Sequence, residues 1–75
     1  MPKTKIDTIG NAYRKFNDFV RGELSRQNYT QQNLGEYLGL CGSAVSYKLS
    51  GKVEWSLREF LKTLEFLGAD VRDFL

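Results

Sequence analysis

Between Gly39 and Lys52 the chain carries two lysines and no acid, with Tyr47 beside Lys48 and Lys52 a turn further on. Ammonium groups interleaved with an aromatic on an acid-free segment suit contact with phosphates, and Lys48 and Lys52 are the candidate phosphate contacts. Tyr47 suits either an apolar contact with a thymine methyl, a phosphate bond, or a place in a protein interface, where tyrosine is enriched. Other chemistry is hard to build from this chain. Histidine is absent and Cys41 is the one cysteine. A tetrahedral zinc site, a disulfide and a histidine-based triad are thereby excluded within one chain. There is no phosphate-cradling glycine loop, and 75 residues leave little room for an enzyme cleft of about 300 Å³ or more. The expectation is a protein that is not an enzyme and needs no metal or cofactor. Cys41 itself reads as a small half-buried filler or weak helix cap.

Helices must position these residues. The single proline is Pro2, so nothing after it forbids a helix. Residues 1–6 read as a flexible N-terminal arm, and 7–75 as one domain. Asp7 or Thr8 can cap a first helix over about 8–27, on which Ile9, Ala12, Tyr13, Phe16, Phe19, Val20 and Leu24 recur at spacings of three and four. Arg14, Lys15 and Arg21 lie off that stripe, as a solvated face or as groove-flanking charges. Thr30 can cap a second helix over 31–38, ended by Gly39. A third runs from Gly42 to Ser50 and stops at Gly51. Ser56 and Glu59 form a capping box for a fourth, with Trp55 and Phe60 at the hydrophobic-staple positions. Leu57, Phe60, Leu61, Leu64 and Leu67 are its expected buried face, Gly68 its end, and Asp70 the cap of a last turn, 71–75. No strand pattern competes. The class expected is all-α.

Within residues 31–50, two short helices flank a glycine turn. Gly35 is small where the second helix passes closest, and Leu34, Leu38, Leu40, Val45 and Leu49 face the core. Gly42, Ser43, Ser46, Tyr47 and Ser50 are left outward. A helix-turn-helix presents its recognition helix in this way.

The run Gln31-Gln-Asn-Leu-Gly-Glu-Tyr-Leu-Gly-Leu40, then Val45, Leu49-Ser-Gly51-Lys52 and the leucine-rich helix ending Leu67-Gly68, resembles the Cro and CI type of helix-turn-helix regulator (the XRE family), especially the small phage forms. The resemblance covers about residues 24–75. It implies a five-helix, lambda-repressor-like domain that binds operator DNA as a homodimer in the host-cell cytoplasm, within a lysis–lysogeny switch. It implies a phosphate contact for Gln31, base-edge contacts for Gly42, Ser43 and Tyr47, and a backbone clamp at Lys52 and the amides near Ser56 and Leu57. Many members carry Gln, Arg or Asn at the head of the recognition helix, where this chain has Cys41-Gly42-Ser43. Glycine reads no base and serine discriminates poorly. The second reading is therefore an antirepressor that keeps the fold but docks on a partner repressor protein. Neither reading involves a membrane: no apolar run approaches the roughly 18 residues of a span, and no signal-peptide core follows the start.

Overall fold

The computed structural model describes residues 2–74, with side chains described from Gly10 to Arg72. Four α-helices follow one another: α1 (Pro2–Arg26), α2 (Gln31–Leu38), α3 (Gly42–Leu49) and α4 (Leu57–Leu67). There is no strand among the described residues. The fifth helix expected after Gly68 is a single 3-10 turn, Val71–Phe74. Asp70 opens it by accepting from the Arg72 amide at 2.9 Å. The first helix also differs from expectation: it begins at Pro2, not near residue 8, and so includes most of the segment read as an arm. Proline suits the first helical position, where its missing N–H has no intrahelical partner to lose.

All four helices end in one way. Asn28, Gly39, Gly51 and Gly68 each take positive φ, from 62° to 85°. After each, the next amide reaches back to a carbonyl five residues earlier: Tyr29 to Leu24, Leu40 to Gly35, Lys52 to Tyr47 and Ala69 to Leu64, at 2.7–3.0 Å. This is the Schellman closure, which satisfies carbonyls the helix end would orphan. The starts are equally local. The Asn33 amide donates to Thr30 Oγ1 at 3.0 Å and the Thr30 amide to Asn33 Oδ1 at 2.9 Å. The Glu59 amide donates to Ser56 Oγ at 3.1 Å and the Ser56 amide to Glu59 Oε1 at 2.9 Å.

The core is Phe16, Val20 and Leu24 from α1, Leu34 from α2, Val45 and Leu49 from α3, and Trp55, Leu64 and Leu67. Trp55 meets Phe16 edge to face at 5.4 Å, and Phe60 tilts against the same ring at 4.7 Å. Asn17, buried among these rings, accepts from Trp55 Nε1 at 2.7 Å. Leu38 and Leu40 are half-buried against the core. The expected face of α4 needs correction. Leu57 and Leu61 point outward, and Thr63 takes a buried place with Leu64 and Leu67. At 100° per residue the buried arc of α4 centres on Thr63, Leu67 and Phe60, which carries Leu57 and Leu61 past its edge.

Arg21 of α1 and Gln27, just past its end, finish α3 and α4. The Arg21 guanidinium donates to the Leu49 carbonyl, and Gln27 Nε2 donates to the Leu67 carbonyl at 3.1 Å. The long helix thus receives the carboxyl ends of α3 and α4, where a cation or donor is favoured.

Candidate functional site

Gly39, Leu40 and Cys41 connect α2 to α3, and the packing there admits no side chain at Gly35. A Cβ on Gly35 would stand 2.6 Å from the Leu40 carbonyl oxygen and 3.3 Å from a Val45 methyl. The turn folds directly over α2, and Val45 is fully buried beneath it. This fixes α3 by its inner face and leaves the opposite face outward.

On that outer face Ser43, Ser46 and Tyr47 are exposed, Tyr47 by 52%. Lys52 swings over it, its Nζ 5.7 Å from the Tyr47 ring centre. Gly42 is half-buried rather than outward, with the space where a Cβ would stand 3.8 Å from the backbone of Gln32. The first residues of α2 and α3 are therefore neighbours, and Gln31 lies exposed beside them. Cys41 is exposed, not half-buried, and occupies the cap position of α3 without capping it. No side-chain hydrogen bond from Cys41 caps the amides that open α3. The Ala44 amide foremost, then the Ser43 hydroxyl, hold the Cys41 thiol below its ordinary pKa. The head of α3 thus favours negative charge.

Lys48 departs from its expected role. It is turned inward, only 8% exposed, with Nζ 2.8 Å from Glu59 Oε1. It donates to the Glu54 carbonyl at 3.0 Å and lies 5.9 Å from the Trp55 ring centre. Burial alone pushes Glu59 up, but the Lys48 ammonium and the Ser56 amide outweigh it, and the carboxyl rests below its ordinary pKa. The physical reason is register: Lys48 precedes the buried Leu49 and follows the buried Val45 by three, so its stem lies on the inner edge of α3.

Of the residues read as candidate contacts, the structure brings Gln31, Gly42, Ser43, Ser46, Tyr47 and Lys52 to one side and takes Lys48 away from it. Three residues that position this side had no such role in the reading from sequence: Arg21, Glu59 and Asn17. Asn17 left a signal, since it falls four residues after Tyr13 and three before Val20, inside the apolar stripe. Arg21 and Glu59 left none, because their partners lie 28 and 11 residues away.

Two open clefts flank the core. One, of about 540 Å³, lies between α1 and the end of α3 and includes Arg14, Asp18, Arg21 and Glu54. The other, of about 430 Å³, lies between α1 and α4 and includes Ala12, Phe16, Trp55, Leu57 and Phe60. Both exceed what so short a chain was expected to offer. The first mixes charges of both signs, with Arg21 committed to Asp18 at 3.3 Å and to Leu49. No group of three or more metal-ligating side chains occurs among the described residues, and no helix there is long and apolar enough to cross a membrane.

No protein family, characterised protein or solved structure matches the chain.

Proposed function

We propose that this chain is a helix-turn-helix regulator of transcription, lambda-repressor-like in design, in which α2 lies across the DNA backbone and α3 enters the major groove. The observation that carries the reading is the outer face of α3. It has no acidic residue from Tyr37 to Val53, its opening amides are uncapped, and Gly35 lets the turn and α3 settle tightly onto α2. Gln31 and the α3 amides would hold phosphates, as helix N-termini do. Ser43, Ser46 and Tyr47 would face base edges, and Lys52 the backbone. The resemblance to Cro and CI regulators of phage-type switches points the same way.

One observation favours a second reading, an antirepressor that docks on a partner repressor. With Lys48 withdrawn, Lys52 is the one cation that the segment from Gly39 to Val53 offers to the outside. A half-exposed tyrosine among serines suits a protein contact as well as a groove. Fluorescence anisotropy with duplex DNA of the gene's own promoter region separates the two. The regulator binds with a linear salt dependence, and Lys52→Ala lowers the slope of log K against log salt by about 0.9. Tyr47→Ala flattens the preference between promoter and random duplex. Absence of binding even at about 50 mM salt, with co-purification of a repressor that Tyr47→Ala releases, overturns the DNA reading in favour of the partner.

A further inference from the structure

The outer stripe of α4 is Leu57, Arg58, Leu61, Lys62 and Glu65. Leu57 is 73% exposed and Leu61 46%, one turn apart, and the stripe continues past Leu57 into the cleft between α1 and α4. The charges on it stand at the wrong ends. Arg58 is the second residue of the helix and Glu65 the third from last. The helix dipole disfavours a cation at the amino end and an anion at the carboxyl end. Arg58 and Lys62 are like charges four apart, which repel on a helix surface, and neither has an ion-pair partner among the described residues. Lys62 and Glu65, three apart, form no ion pair either. Glu65 accepts from the Tyr37 hydroxyl through Oε1, and its side chain is exposed.

We infer that the outer face of α4 is a homodimer interface in which two copies of the helix run antiparallel. Arg58 and Glu65 are seven residues apart, two turns and about 10 Å along the same face. Antiparallel pairing centred between Leu61 and Lys62 sets each Arg58 against the Glu65 of the other copy, twice by symmetry. A two-fold interface of this kind requires one patch to complement itself, and base-then-acid spacing about a central leucine meets that requirement. Leu61 meets its own counterpart beside the axis. The Lys62 stem covers the leucine pair while its ammonium stays in water, and Leu57 extends the apolar contact toward the cleft. The charges that oppose each helix's own dipole are neutralised by the other copy. The interface stands whether α3 contacts DNA or protein.

Sedimentation equilibrium of the full chain tests this, with helical circular dichroism and thermal melts as the check on folding. The wild type forms a concentration-dependent dimer. Leu61→Glu, at an exposed position, leaves the helical signal intact and gives a monomer. Arg58→Glu and Glu65→Arg each weaken the dimer by about tenfold, since each breaks two pairs and sets like charges together. Mixing the two single variants restores a heterodimer of wild-type strength, because R58E then faces E65R at one end and Glu65 faces Arg58 at the other. A wild type that stays monomeric to high micromolar concentration overturns the inference. So does a dimer that Leu61→Glu leaves intact, or charge variants that mixing fails to rescue.

Discussion

Lys48 changes role between the chain as a string and the chain as a fold. In sequence it is one of two lysines on an acid-free run. In space it bridges the Glu59 carboxylate and the Glu54 carbonyl over the ring of Trp55. Lys48→Ala leaves Glu59 partly buried and unpaired, and chemical denaturation should show a loss on the order of 2–3 kcal/mol, short of the full cost of a dry pair because Glu59 keeps some water. Lys52→Ala, on the exposed side, should stay within about 0.5 kcal/mol of wild type. Thr63 is the opposite case. Its Oγ1 is buried and has no hydrogen-bond partner. Thr63→Val keeps the shape and removes an unsatisfied hydroxyl, so the same measurement should show stability unchanged or raised by up to about 1 kcal/mol.

Most of the helix boundaries are devices a few residues long, and those of α2 and α4 were readable in advance, whereas the expected start of α1 near residue 8 was not borne out. Thr30 and Ser56 start α2 and α4, and Gly39, Gly51 and Gly68 stop three helices, because capping joins residues three to six apart. Asn28 follows the same rule with the non-glycine residue that best tolerates the left-handed region. Gly35 is of another kind. Its conformation is ordinary, and what it lacks is room. Gly35→Ala puts a methyl 2.6 Å from a backbone oxygen, which no side-chain rotation can relieve. We expect a loss of about 1–3 kcal/mol in a denaturant titration. The turn must lift to admit the methyl, so on the proposed function α3 would also bind DNA more weakly. Helix faces were less legible than helix ends. The leucines of α4 cover an arc wider than its neighbours can bury, so periodicity alone placed Leu57 and Leu61 inside.

At the scale of the molecule, α1 sets the long dimension of a 40 × 24 × 20 Å body, α3 and α4 pack against it, and α2 packs on α3 and α4. One ion pair, Lys48–Glu59, joins two helices and the others are local, and together they set the response to acid. Glu59, Glu23 and Asp70 all have pKa values below their ordinary ones, through Lys48 and Ser56, through Arg26 and Gln27, and through Arg72 respectively. A carboxylate depressed in the folded state adds stability above its unfolded pKa and loses it as pH falls through the folded value. Thermal melts should therefore be level near neutral pH and fall below about pH 4.5, the ordinary carboxylate range. Glu59→Gln should flatten part of that fall, because it removes the one member of the three whose cationic partner, Lys48, is itself buried.

The all-α class, the order of four helices, the caps of α2 and α4 and most of the core followed from composition, periodicity and short-range spacing. Each rests on interactions between residues close in the chain, whose geometry the backbone dictates locally. The outward placing of Ser43, Ser46, Tyr47 and Ser50 followed from the same period once Val45 and Leu49 were taken as inward, while Gly42 is half-buried. The inward turn of Lys48, the exposure of Leu57 and Leu61, the clamp of Arg21 on the end of α3 and the reduction of a fifth helix to one 3-10 turn followed from none of these. They depend on which surfaces meet across the fold. A lysine stem fits a solvated face or a buried edge equally well until a carboxylate 11 residues away arrives beside it. A leucine is apolar on either side of a helix, and only the area its neighbours can cover decides which side is buried.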